Sequence, residues 1–544
     1  MTEYSAFLVH SLEKVLPDME PQRIESPVLL GFLNETLSVQ IAYSCINDDF
    51  CESDTDLWIE IDSALSNSIR FRYVGLVPCN YPCHGTTDDN YLSTKPGLFP
   101  DLLVPVKQSE HLKAIPSQWR SVWVDITAPA GIHNISLVVS CRQGEIARLH
   151  LTANVSEKEL PKQTLIHTEW FHADCLADYY QVPVFSEAHW QIIDNYITSA
   201  VSHGINMLLT PVFTPPLDTA VGGERTTVQL IKISYEQGVY RFDFSPLERW
   251  IAICEKRGIE YLEIAHLFSQ WGAVYAPKIV VCVNGQEKSL FGWHTSAVSK
   301  EYVSFLHVFL PALKQFLREC GWLNKTFFHI SDEPHMKEIE TYLAAKREVE
   351  HLLSDCKVID AISDYDVFCK GVTNHPIVSV DHIHDFIEAG VRPLWAYYCT
   401  IQAIHVPNRF MAMPATRNRI LGVLLYYYNI DGFLHWGFNF YNSRLSFRHI
   451  NPYIVTDADE SFPSGDPFLV YPASNGTAYE SLRGVILKQA LCDLRALQLC
   501  ERTVGRSAVI HTLDSLFGRK MSFSDYPHDT TFFDDLRRQI HSLV

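Results

Sequence analysis

Through the first 155 residues, apolar and polar positions alternate in short runs at 37–43, 56–61, 68–74, 121–126, 134–140 and 147–155. A period of two sends successive side chains to opposite faces of a strand, so each run reads as a strand with one buried side. Turn-rich stretches such as CHGTTDDN and STKPGLFPD separate the runs, with no long amphipathic helix between them. The pattern predicts an N-terminal β-sandwich over residues 1–160, with the polar stretch SEKELPKQ (156–163) as a linker.

Beyond the linker the period changes. Short apolar runs at 165–174, 205–210, 259–266, 326–331, 357–362, 376–381, 393–399 and 431–436 alternate with segments of helical period. EAHWQIIDNYITSAVSHG, SPLERWIAICEKRG and EYVSFLHVFLPALKQFLREC are examples. Eight strands, each followed by a helix, is the count of a (β/α)8 barrel. The fold class expected is therefore multidomain α/β, an N-terminal β-sandwich followed by a (β/α)8 TIM-type barrel over 161–505. A last helix from Tyr479 should close the barrel, leaving 506–544 as a peripheral helical tail. The length of 544 residues agrees, because it exceeds what one hydrophobic core usually serves.

Charge narrows the partners. Lys+Arg 44 against Asp+Glu 63 gives a formal net charge of -19, and no basic run interrupts it, so a phosphate backbone would be repelled. Nucleic acid is excluded on this reading. No window is apolar for the roughly 18 residues a membrane helix needs, and the first residues lack a basic segment followed by an apolar core. A soluble, cytoplasmic protein with no membrane partner is expected, and homo-oligomerisation is left open. The 14 cysteines are scattered, as reduced thiols are, and only CNYPCH (79–84) hints at a cysteine-built metal site, with no second ligand pair to complete it.

A barrel of this type carries its chemistry at the C-terminal ends of its strands. Those ends supply His172 and Asp174 (first), Thr210 (second), His266 (third), Asp332 and Glu333 (fourth) and Asp381 (sixth). Tyr397 and Tyr398 end the seventh, and Trp436 and Asn439 follow the eighth; Trp271 and Trp293 lie in glycine-flanked loops. Acids, imidazoles and aromatic rings together suit a sugar, whose C–H faces stack on rings while its hydroxyls bond to carboxylates and amides. One tyrosine of the pair faces the site, Tyr398 if the strand has begun to uncoil there and Tyr397 otherwise.

The pair in SDEPH (331–335) has two readings. It can open a helix, with Ser331 or Asp332 as cap, Pro334 in the first turn and Glu333 favourable to the helix dipole. It can equally be catalytic. Sequence neighbours do not easily straddle a sugar at the about 5–5.5 Å of an ordinary retaining pair. They can share one face, Asp332 orienting a 2-acetamido group whose carbonyl oxygen attacks C1, and Glu333 serving as acid and then base. The charge of Asp332 is then expected to raise the pKa of Glu333.

TEWFHADCLA, NMLLTPVFTPPLDT with GGERTTVQL, AHLFSQWGAVYAPKI, FFHISDEP, LWAYYC, NRFMAMPATRNRILG, GFLHWGFNFYNS and PSGDPFLVYP together resemble the catalytic region of glycoside hydrolase family 123. The chain is also similar to bacterial proteins carrying domain of unknown function 4091. The resemblance spans roughly His167 to Leu497, and YLSTKPGLFPDLLVP extends it into the sandwich. It implies a β-N-acetylgalactosaminidase-like enzyme, with Asp332 as polariser and Glu333 as acid/base; the lack of an export signal points instead to a small glycoside or oligosaccharide as substrate, and no cofactor is expected.

Two other classes stand beside it. His172, Asp174, His266, His329, Asp332 and His335 could hold a catalytic metal, although no H-E-x-x-H occurs and His382-x-His384 opens a helical stretch. A barrel that only binds glycans is the other. Arg225, Arg409 and Arg417 read as internal ion-pair partners rather than substrate ligands.

Overall fold

A computed structural model describes residues 3–46 and 55–544. Its centre is a closed barrel of eight parallel strands. These are β1 (Ile166–Glu169), β2 (Met207–Thr210), β3 (Tyr261–Ile264), β4 (Thr326–Phe328), β5 (Lys357–Ala361), β6 (His375–Ser379), β7 (Trp395–Tyr397) and β8 (Gly432–His435). Each pairs with the next, and β8 returns to β1 through Gly432 opposite Ile166. Every predicted barrel run overlaps one of these strands.

Both faces of the strands are buried, which is why their sequences read as apolar runs. Met207, Leu209, Phe327, Ile359, Ile377, Trp395 and Leu434 fill the interior. Leu208, Leu262, Phe328, Val378, Ala396 and Phe433 point outward into the core shared with the helices. Gly432 is required by this packing, since a Cβ there would lie 2.2 Å from the Trp395 indole.

The N-terminal part forms two sheets. One runs in the order Glu3–Val9, Leu37–Ile46, Arg120–Ile126, Ile69–Cys79, Gly97–Val106, Ala478–Ser481, Tyr471–Pro472, and the other Val28–Leu33, Gly144–Glu159, Gly131–Cys141, Asp56–Asp62, Leu112–Lys113. Ile41, Phe71 and Val122 of the first meet Ile59, Leu137 and Ala153 of the second in one apolar cluster. Residues 156–159 of the expected linker continue the strand Gly144–Glu159, which after an irregularity past Val155 pairs again through Glu159 opposite Leu33. The first sheet also takes two strands from beyond the barrel's last strand, and Arg483 fastens this junction by a buried bidentate pair with Asp101 (both 2.9 Å).

The tail is helical, at Arg506–Phe517 and Thr530–Leu543, but it is not peripheral. Phe532, Phe533, Leu536 and Ile540 are buried, and Arg537 reaches Glu35 (2.6 and 3.0 Å) and Asp493 (2.7 Å). A helix with one apolar stripe must bury it, and this one does so between the barrel helix Leu482–Val504 and the N-terminal strands.

A four-stranded sheet inserted in the second and third barrel units escaped the sequence reading: Lys232–Glu236, Val239–Asp243, Ile279–Val283 and Gln286–Phe291. Its two hairpins turn at Gln237-Gly238 and Asn284-Gly285, all four with positive φ, as two-residue hairpin turns require.

Candidate active site

The segments that leave β3 and β4 are bonded together. Phe268 N–H donates to the Ile330 carbonyl (3.0 Å), the Ser331 hydroxyl to the Ser269 carbonyl (2.6 Å), and Trp271 N–H to the Asp332 carbonyl (3.0 Å). Glu333 then takes a left-handed conformation, φ +44, which costs a non-glycine residue strain and turns the chain sharply after Asp332. The following helix starts later, as a 3-10 turn at Met336–Glu338 leading into Ile339–Val349, with His335 and Glu338 making the capping contacts. Ser331 and Asp332 cap nothing. The helix-start reading of these two residues is overturned, because the strained turn separates them from the helix.

Asp332 and Glu333 share a pocket with His172, Trp271, Tyr397 and Trp436. Tyr397 donates to Glu333 Oε1 (2.6 Å), and its oxygen lies 3.0 Å from the Ser363 hydroxyl. Trp436 donates its indole N–H to Asp466 (2.9 Å), so its ring is fixed, while Trp271 stands at the rim, 43% exposed and with φ +54. Barrel parity decides between the tyrosines. Tyr397 faces inward, whereas Tyr398 is buried on the outer side against Phe433 and His435.

Five of the predicted binding residues do not line this pocket. Asp174 is held below it by Arg225 (2.7 and 2.8 Å). Asn439 spends its amide on the His172 backbone (2.9 and 3.0 Å), and Trp293 donates to the Gly223 carbonyl (2.8 Å). His266 is fully buried in the barrel, stacked on His329 at 4.2 Å between ring centroids, and Tyr398 faces outward. Asp174, Asn439 and Trp293 are thus captured by a neighbouring charge or by backbone groups, whereas His266 and Tyr398 are packed away among other rings. Thr210 bonds to its own strand and Asp381 to Gln402.

His172 lines the pocket with no free nitrogen. Nδ1 takes Arg225 Nη2 (3.0 Å) and Nε2 meets the Trp436 carbonyl (3.0 Å), so the first accepts and the second carries the proton. Burial, reinforced by the Arg225 charge, lowers its pKa to about 3. This imidazole is neutral and holds the Trp436 loop in place. Arg409 and Arg417 likewise form internal pairs, with Glu169 (2.6 Å) and Asp88 (2.8 Å).

Beneath the carboxylates runs a buried polar chain. His329 lies 2.7 Å from Glu263 and 3.2 Å from Asp360, and Asp360 also accepts from the Tyr342 hydroxyl. Burial opposes a charge on His329, yet its bonds to Asp360 and Glu263 prevail and push it up to about 9. His266, buried against that cation, is held well below the usual imidazole range. Asp332 is pushed up to about 8, first by burial and then by the negative charge of Glu333. The repulsion within the pair therefore appears on Asp332, the more deeply buried member at 5% exposure.

The sequence reading missed Trp170, Asp218, Gln270 and Phe462, which complete the walls. Gln270 donates to Asp332 Oδ2 (2.8 Å) and accepts from the Asp218 N–H (2.5 Å); Trp170 donates to Glu263 (2.8 Å). Gln270 and Trp170 each adjoin a motif residue, in SQWGA and EWFHAD, which was the available signal. The histidines and acids named as metal ligands are dispersed among these bonds, and among the described residues no group of three or more His, Cys, Asp or Glu could hold a metal ion.

A closed parallel barrel with adjacent carboxylates at the end of its fourth strand, facing tryptophan and tyrosine, is an arrangement suited to glycoside hydrolysis. The family described as glycoside hydrolase 123, catalytic domain, matches residues 170–500, and the chain belongs to it. Among solved structures, a family 123 glycoside hydrolase from Clostridium perfringens, studied for glycolipid glycan hydrolysis, has the same fold. The match covers 99% of this chain and 98% of that one at 16% identity, with a TM-score of 0.74. A family 39 glycoside hydrolase from Bacteroides cellulosilyticus WH2 matches at 11% identity over 85% of this chain and 81% of its own, with a TM-score of 0.33. No curated protein matches the chain.

Proposed function

We propose that the enzyme is a retaining, exo-acting β-N-acetylhexosaminidase that uses the substrate's own 2-acetamido group as nucleophile. The observation that carries this is the pairing of neighbours on one wall, where Asp332 accepts from Gln270 and Glu333 from Tyr397. A pair that shares a face suits an internal nucleophile better than it suits attack from across the ring.

In this reading Trp436 and Trp271 receive the apolar faces of the sugar. The acetamido N–H bonds to Asp332, which favours the ionised form of that carboxylate and moves the proton of the coupled pair to Glu333. Tyr397, released from Glu333, turns its hydroxyl to the acetamido carbonyl. Glu333 protonates the leaving oxygen as the carbonyl oxygen attacks C1, giving an oxazolinium ion whose charge Asp332 stabilises. Glu333 then takes a proton from water, which opens the ring with net retention. His329 adds a fixed positive charge beneath the pair, which limits how far burial can suppress the ionisation of Asp332.

On the same reading the N-terminal sheets are a β-sandwich that buttresses the barrel, and the enzyme works in the cytoplasm on small glycosides or oligosaccharides. The thirteen described cysteines are all free thiols, as a reducing compartment favours.

The test is a screen of 4-nitrophenyl glycosides containing both N-acetylhexosaminides and their 2-hydroxy counterparts, with and without chelator. Cleavage confined to the 2-acetamido sugars and indifferent to chelator supports the proposal. Preference for 2-hydroxy sugars would overturn the acetamido mechanism.

A further inference from the structure

Asp218, in the loop after β2, is a third carboxylate on the pocket wall. Each of its other polar groups is committed. Its N–H donates to Gln270 Oε1 (2.5 Å), its carbonyl accepts from the Ser446 hydroxyl (2.7 Å), and Oδ2 accepts from Leu445 N–H (3.0 Å). The preceding carbonyl, of Leu217, is held by Arg225 (3.0 Å). Oδ1 accepts no hydrogen bond among the described residues. The backbone is held at φ +40, a conformation that costs a non-glycine residue energy and persists only because these contacts fix it.

A carboxylate oxygen left free in a sugar-sized pocket is an acceptor without a donor. Pyranose hydroxyls are such donors, and a charged acceptor bonds them more strongly than a neutral one. From this the geometry points to Asp218 as a specificity-determining residue that accepts, through Oδ1, a hydrogen bond from a ring hydroxyl of the bound sugar. The assignment of which hydroxyl rests on the acetamido reading. One amide, that of Gln270, spans Asp218 N and Asp332 Oδ2, so a sugar whose C2 substituent meets Asp332 brings its C3 or C4 hydroxyl to Asp218. Gln270 makes the spacing between the two contacts rigid. Asp218 is thus the group that distinguishes sugars by hydroxyls distant from the reacting carbon, where the catalytic pair cannot.

The experiment uses the full chain and the 3-deoxy, 4-deoxy and 6-deoxy analogues of whichever 4-nitrophenyl glycoside the wild type cleaves, assayed on wild type, Asp218→Asn and Asp218→Ala. If no nitrophenyl glycoside is cleaved, quenching of tryptophan emission by the corresponding free sugars gives the same comparison. The wild type should lose roughly tenfold or more in kcat/KM, or in affinity, on the 3-deoxy or 4-deoxy compound, and little on the 6-deoxy one. Both variants should lose a similar factor on the parent and no longer distinguish it from that deoxy analogue. Variants that keep the wild-type discrimination would overturn the proposal, as would an equal loss on every analogue with a lowered melting temperature, which would leave Asp218 only as an anchor for Leu445. An enzyme found to prefer 2-hydroxy sugars would sink the acetamido mechanism, yet its own deoxy series would still decide the role of Asp218.

Discussion

The side-chain amide of Gln270 orients Asp332: its oxygen accepts the Asp218 N–H at 2.5 Å, so its nitrogen must be the group that meets Asp332 Oδ2 at 2.8 Å. A backbone N–H can only donate, which removes the usual ambiguity of an amide. Asp332 is left with Oδ1 for a ligand.

Replacing that donor tests its role. Gln270→Glu keeps the acceptor toward Asp218 but puts an oxygen against Asp332, and a lost hydrogen bond to a charged group costs about 1.5–3 kcal/mol. Turnover should fall roughly 10- to 100-fold with a smaller change in KM. The pH–rate profile should also move to higher pH, a shift that a purely structural role for Gln270 would not produce.

The two carboxylates should separate by leaving group. Glu333→Gln should lose most turnover on a poorly leaving aglycone and retain more on an activated nitrophenol, which departs without a proton. Asp332→Asn should reduce both alike, since oxazolinium formation accompanies either departure. Melting and turnover measured on the same samples separate these effects from unfolding.

Asp332 should also cost stability at alkaline pH. Its folded pKa is raised to about 8 against about 3.9 in an unfolded chain, so the native state binds the proton more tightly. The stabilisation is complete below about pH 4 and is lost as pH rises through 8. Asp332→Asn, which carries no charge to bury, should therefore melt above the wild type at about pH 9, with the difference closing toward about pH 4. Calorimetric scans of both proteins across this range check the sign.

His329 and His266 should differ in charge although they stack. His329 should hold its proton at neutral pH, with a midpoint of about 9, and His266 should stay neutral throughout. Nitrogen-15 chemical shifts of the labelled imidazoles followed from pH 6 to about 10 report both.

The tail is predicted to carry stability. Arg537→Ala leaves Glu35 and Asp493 facing each other without their shared cation, although Arg419 still holds Asp493 (2.8 Å). Breaking a buried pair of this kind costs about 3–5 kcal/mol, readable as a lowered urea midpoint with little change in kcat.

Hydrophobic periodicity was enough to place the eight barrel strands and most of their helices, because burial on both faces writes an apolar run that needs no knowledge of the partner strand. The same logic placed Asp332 and Glu333 at the end of the fourth strand, where the pocket lies, since where a strand ends is a local property. Other features depended on distant parts of the chain. Tyr397 faces the lumen and Tyr398 does not because pairing with β6 and β8 sets the parity of β7. His172 and Asp174 looked like ligands, but Arg225, some fifty positions on, occupies both. Gln270 and Asp218 look ordinary in their own loops and acquire a role only when the loops after β2 and β3 meet over Asp332. Residues 506–544 read as a tail because the surfaces that cover its apolar stripe, the N-terminal strands and the helix Leu482–Val504, are close to it only in three dimensions. The local pattern reports whether a side chain is buried; which group it is buried against is decided by the folded chain.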